Sequence, residues 1–130
     1  MEFVLLLLIS FLFGGMLLFS IGFGTLSFKF LQTADARKFI RKSFPYFYGY
    51  VFGVSALICL LSLNFSTTIT AFGLIICVST VPTALILMPA INKASDMKQK
   101  RSFILLHTLS VVITLMHIII CAVLLYLMSK

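Results

Sequence analysis

Four apolar runs, each long enough to cross a bilayer, constrain this chain more than any other feature. They cover about residues 3–31, 46–63, 65–88 and 103–127. Roughly 18–20 apolar residues in helical form cross a hydrocarbon core of about 30 Å. In lipid a helix satisfies every backbone donor and acceptor within its own segment. The runs therefore predict an all-α polytopic membrane protein: an antiparallel four-transmembrane-helix bundle, one domain over residues 1–130. Composition agrees, with 62% apolar and 10% charged residues, where soluble domains carry about 25% charge. The longest connections hold about a dozen residues, which leaves no room for a soluble catalytic module. The first run has Glu2 where a secretory leader would be basic, and it exceeds the length of a leader's apolar region, so it reads as a retained span.

The charge of +7 is unevenly placed. Lys29, Arg37, Lys38, Arg41 and Lys42 lie where run one passes into run two, and Lys93, Lys98, Lys100 and Arg101 lie between runs three and four. The hairpin around Asn64–Thr68 is uncharged, and the two ends carry only Glu2 and Lys130. In a four-span chain the two basic connections share a side. The positive-inside rule makes that side cytoplasmic and puts both termini outside. This pattern points to an anionic cytoplasmic leaflet as the basic residues' partner, and not to nucleic acid. The compactness of the chain points to a bacterial inner membrane.

The spans carry packing signals. In span one Ser10, Gly14, Ser20 and Gly24 share one side, and Gly15 and Gly22 another. Small residues let helix backbones approach closely in lipid, so these positions, Gly14 and Gly24 among them, are expected to pack. Residues 34–44 read as a separate amphipathic helix on the membrane surface, capped by Thr33 or Asp35 and ended by Pro45. Its basic face is Arg37, Lys38, Arg41 and Lys42. Tyr46 and Tyr48 follow at the depth of an interfacial aromatic belt. Gly49 and Gly53 form a GxxxG pattern, which predicts close contact with another helix, in this chain or in a second copy. Thr70, Gly73, Cys77, Thr80 and Ala84 form a seam of small residues in span three. Pro82 should kink that helix, with Ser79 or Thr80 satisfying freed backbone groups, and Pro89 with Asn92 should close it.

Span four holds the two histidines. His107, Ser110, Thr114, His117 and Cys121 recur at steps of three and four residues, within an arc of roughly 80°. A polar stripe of this regularity is expected to turn away from lipid, toward spans one or three, with His117 level with Cys77 and Thr80. An ionisable residue near the bilayer midplane is a functional candidate by default. The histidines are ten residues apart, about 15 Å along the helix, so they cannot ligate one haem between them. His117 and Cys121 alone make an incomplete metal site, and no cofactor is expected. A proton-coupled carrier using His117 stays open as an alternative, as does a haem- or metal-binding subunit. No nucleophile triad, phosphate loop or paired carboxylates point to an enzyme.

Several short patterns resemble the domain of unknown function 4149 family, which includes proteins similar to transmembrane protein 205. They are Gly24 through Leu31 (GTLSFKFL), Phe44-Pro45-Tyr46-Phe47, Met88-Pro89 with Asn92, and His107-Thr108-Leu109-Ser110. Related sequences often have Asn where Thr114 stands, and some carry a histidine in span one. The resemblance implies a four-helix membrane domain and no particular chemistry. The expected role is association with other membrane proteins or with itself, without catalysis.

Overall fold

The computed structural model describes residues 1–130 and contains four long helices and no strand. They are α1 (Glu2–Phe30), α2 (Thr33–Ser62), α3 (Thr67–Asp96) and α4 (Lys100–Met128). Each has 29 or 30 residues, about 44 Å of helix, so each outruns the ~30 Å hydrocarbon core. Only residues 31–32, 63–66 and 97–99 connect them. Successive helices pack side by side, and α4 closes the ring on α1. The result is an up-down-up-down antiparallel bundle with both basic connections at one end.

Each helix contributes a buried seam at heptad spacing. On α1 it is Leu5, Ile9, Leu12 and Met16; on α2, Tyr48, Val51, Ser55, Ile58 and Ser62. On α3 it is Ile69, Gly73, Ile76, Thr80, Thr83 and Leu87; on α4, Ser110, His117, Cys121 and Leu124, with Thr114 half-buried between them. Steps of three and four keep one face on a neighbour that crosses at a shallow left-handed angle of about 20°. The interface of α2 with α3 is the most extensive. At Gly73 an added Cβ would stand 3.3 Å from the Cys59 backbone nitrogen and 3.4 Å from Ile58 Cγ2. Glycine is what allows these two backbones to come so close.

Three expectations about the elements change. Residues 34–44 are not a separate surface helix: α2 runs unbroken from Thr33 through Pro45. No side chain caps its start, where Gln32 takes extended angles. Tertiary contacts hold this stretch upright. Arg41 donates to Asp96 at 2.8 Å and to the Asn92 carbonyl at 3.1 Å on α3. Phe39 packs on Phe23, and Phe44 on Phe19, with ring centroids 5.0 and 5.5 Å apart. Helix α3 likewise passes Pro89 and ends at Asp96. After Pro82 it widens over Thr83–Leu87, with the Met88 N–H bonded to the Thr83 carbonyl five residues back. Ser79 and Thr80 hydroxyls donate to the Ile75 and Ile76 carbonyls, each at 2.7 Å. The carbonyl that Pro82 deprives of its donor is Val78, so those hydroxyls serve the turn before it.

The third change concerns the glycines. Nothing lies within 4 Å of a Cβ added at Gly14, Gly24, Gly49 or Gly53. The large seam residues of α1 pack instead of its small ones. Gly15 is where a neighbouring helix fills the place of a missing side chain on α1, whereas at Gly22 an added Cβ would meet Leu18 of the same helix at 3.3 Å. The Tyr50 phenol of α2 occupies the space a Cβ would take at Gly15, and its hydroxyl donates to the Phe11 carbonyl.

Candidate functional site

The span-four stripe divides at its first member. Ser110, His117 and Cys121 are buried and Thr114 is half-buried, while His107 is exposed and lies flat on Phe103, with ring centroids 5.5 Å apart. His117 Nε2 and Ser79 Oγ are 2.7 Å apart, a direct tie between α4 and α3 at mid-depth. Ser79 Oγ also lies 2.7 Å from the Ile75 carbonyl. A hydroxyl has one proton, so if Ser79 donates it to Ile75, the imidazole donates from Nε2. His117 thus meets Ser79, and not Cys77 or Thr80 as the seam suggested. Gly73, two helical turns before Thr80 on the same side of α3, packs on α2, and Ser79, about 100° around from Thr80, faces α4. The clue in the sequence was that an up-down-up-down helix needs two contact faces.

Tyr48 corrects the aromatic-belt expectation. Tyr46 is 82% exposed, as a belt residue would be, but Tyr48 is 6% exposed. Its hydroxyl is 3.3 Å from Ser110 Oγ on α4. The steps 48, 51, 55, 58 and 62 carried this information, because Tyr48 is the first member of the α2 seam. Arg41 departs from a purely interfacial role through its bonds to α3, whereas Arg37, Lys38 and Lys42 are exposed. Gly73 is buried against Ile58 and Cys59 of α2, Thr80 is buried further along α3, and Cys77 between them is half-buried. All three cysteines are free thiols.

At the basic end the bundle opens into a crevice of about 1160 Å³. α4 packs along the Glu2–Leu17 part of α1. Beyond a wide turn at Leu18–Phe23, α1 packs chiefly on α2, so its last two turns stand apart from α4. The inner wall includes Phe19, Phe23, Phe47, Met88 and Ile118, with Ser110 and Thr114 as polar points and His107 nearer the mouth. Arg37, Lys38, Arg41, Lys98 and Lys100 ring that mouth beside one carboxylate, Asp96. Phe19 and Phe47 stack at 4.2 Å and join α1 to α2 along the wall.

Four apolar helices with shared heptad seams, and a polar tie at mid-depth, define a small four-span helical membrane protein. Within that class the chain belongs to the family described as domain of unknown function (DUF4149), whose model matches residues 7–100. Three of the four resembling patterns lie in the matched stretch, and the His107–Ser110 pattern lies beyond it. No curated protein and no solved structure matches the chain.

Proposed function

We propose that this is a non-enzymatic protein of the bacterial inner membrane that works by association, with other membrane proteins or with further copies of itself. Its basic end is cytoplasmic and both termini are outside. The observation that carries this reading is the outward face of α2. Tyr46, Gly49, Gly53, Leu57 and Leu60 share that face and are exposed. A glycine inside a helix costs about 0.5–1 kcal/mol relative to alanine, and no contact within the chain offsets that cost at Gly49 or Gly53. Between larger side chains the two glycines leave a shallow groove that a second helix can enter closely. The tie to Ser79 supports a structural role for His117. A carrier would need His117 on a solute path, whereas the crevice is lined by Ser110, Thr114 and Ile118 and not by His117.

The test is crosslinking in native membranes. A cysteine at Gly53, in a background free of Cys59, Cys77 and Cys121, should give a defined crosslinked species, and one at the exposed Leu105 of α4 should not. Adding Gly49→Leu to the cysteine-53 variant should abolish that species while helicity and the unfolding midpoint stay unchanged. Equal crosslinking from both positions would sink the association reading. For orientation, cysteines at Lys98 and Ser129 should show opposite accessibility in intact cells.

A further inference from the structure

We propose that the crevice at the basic end seats one anionic phospholipid, its phosphate among Arg37, Lys38, Lys98 and Lys100 and an acyl chain along the phenylalanine wall. This surface is separate from the Gly49–Gly53 face.

Four features of the crevice lead to that occupant. It opens sideways to the bilayer, because Thr25 and Phe28 on the α1 lip and Val111 and Leu115 on the α4 lip all line it and are all exposed. Its polarity is graded along the membrane normal. Charges are confined to the mouth, and the lining on α4 turns apolar toward Val111, Leu115 and Ile118. From Lys100 to Leu115 is about 22 Å of helix. That distance matches a headgroup plus the roughly 15 Å depth of one leaflet. At about 1160 Å³ the crevice also exceeds the volume of a pocket for a drug-sized ligand, roughly 300–1,000 Å³.

Charge narrows the choice further. Asp96 is already taken by Arg41 in the chain's one salt bridge, at 2.8 Å. The other four cations at the mouth have no carboxylate partner in the chain, and basic pockets between membrane helices at a leaflet surface select anionic headgroups. A soluble phosphate compound would use the cations and leave the aromatic wall empty. A zwitterionic lipid would use the wall and leave the cations without a net counter-charge.

Lys98 adds an independent sign. Helix α3 ends with the Gln99 N–H bonded to the Ala94 carbonyl and the Lys98 N–H bonded to the Ser95 carbonyl. This is a Schellman ending, whose left-handed position usually holds glycine. Lys98 occupies it with φ of 54°. A lysine there strains the backbone and in return places an ammonium group at the mouth of the crevice.

The experiment is native mass spectrometry on the full chain in detergent, titrated with dioleoyl phosphatidylglycerol or dioleoyl phosphatidylcholine. One phosphatidylglycerol per chain should be retained in preference to phosphatidylcholine. Removing the four mouth charges (R37Q, K38Q, K98Q, K100Q) should abolish that preference. Removing four basic residues outside the crevice (K29Q, K42Q, K93Q, R101Q) should leave most of it. Gly24→Phe, which grows from a lining position into open space, should expel the lipid while the elution profile and helicity stay unchanged. Lys98→Gly covers the case in which the quadruple variant misfolds: the chain should unfold later yet hold phosphatidylglycerol about fivefold more weakly. Equal losses from the two quadruple variants would reduce the effect to general surface attraction and overturn the proposal. Full retention in Gly24→Phe, or displacement of the lipid by millimolar inorganic phosphate alone, would overturn it as well.

Discussion

The two halves of α1 are similarly apolar and behave differently. Away from the basic end, Leu5, Ile9, Leu12 and Met16 are wholly buried. From Leu18 to Phe30 the same helix buries only Ser27. The wide turn at Leu18–Phe23 separates the two regimes. A wide turn accommodates an extra residue and rotates everything after it by about 100°, so the heptad seam does not carry through. The first half packs, and the second becomes one lip of a crevice. In lipid, apolar character alone does not drive helices together; van der Waals fit does. Hydropathy therefore reports where a helix is soluble and says nothing about which of its residues are packed.

The largest effect expected from that contrast is at Leu12. Leu12→Ala should cost about 2–5 kcal/mol of unfolding free energy in detergent, the range for emptied core sites. Phe28→Ala in the second half should fall within about 0.5 kcal/mol of wild type. Similar losses at both sites would erase the distinction between the halves. Gly15→Ala should come next, at about 1–3 kcal/mol, because its methyl group displaces the Tyr50 phenol. In a Tyr50→Ala background most of that cost should vanish, and a cost that persists would place the clash elsewhere.

Gly14 sharpens the comparison from the opposite direction. It is one residue away, but nothing lies near its missing side chain. Gly14→Ala should leave the chain equally stable or raise its unfolding free energy by up to about 1 kcal/mol. A loss there would reveal a close neighbour on that face. The smallest effect is at His117, whose bond to Ser79 closes the packed level of α3 and α4. A double-mutant cycle of His117→Gln with Ser79→Ala should give a coupling of about 0.6 kcal/mol, as is usual for hydrogen bonds between membrane helices. Stability should survive His117→Asn and His117→Gln. A coupling of several kcal/mol would contradict the view of His117 as one modest tie among many contacts.

Much of the packing was legible as steps of three and four. The stripe from Ser110 to Cys121 and the seam through Gly73 and Thr80 both turn inward, and the same steps on α2 place Tyr48 inside although its type suggested the interface. GxxxG at Gly49 could not be read the same way, because small residues permit close contact without naming a partner, and in this chain none comes. Proline was the other misleading signal. At Pro45 and Pro89 the local preference is to stop, and the helices continue because contacts between α2, α3 and α1 hold them.

The sequence by itself determined that the chain crosses a membrane four times and that its two basic connections share an end. Those properties depend on summed transfer free energies over some 20 residues, to which each residue contributes regardless of its neighbours. Tertiary structure alone decided that Ser79 is the partner of His117, that Gly15 and not Gly14 receives a neighbour, and that α1 stands away from α4 at the basic end. Each of these depends on the rotation of one helix about its axis relative to another. A single wide turn changes that rotation, and hydropathy is insensitive to it.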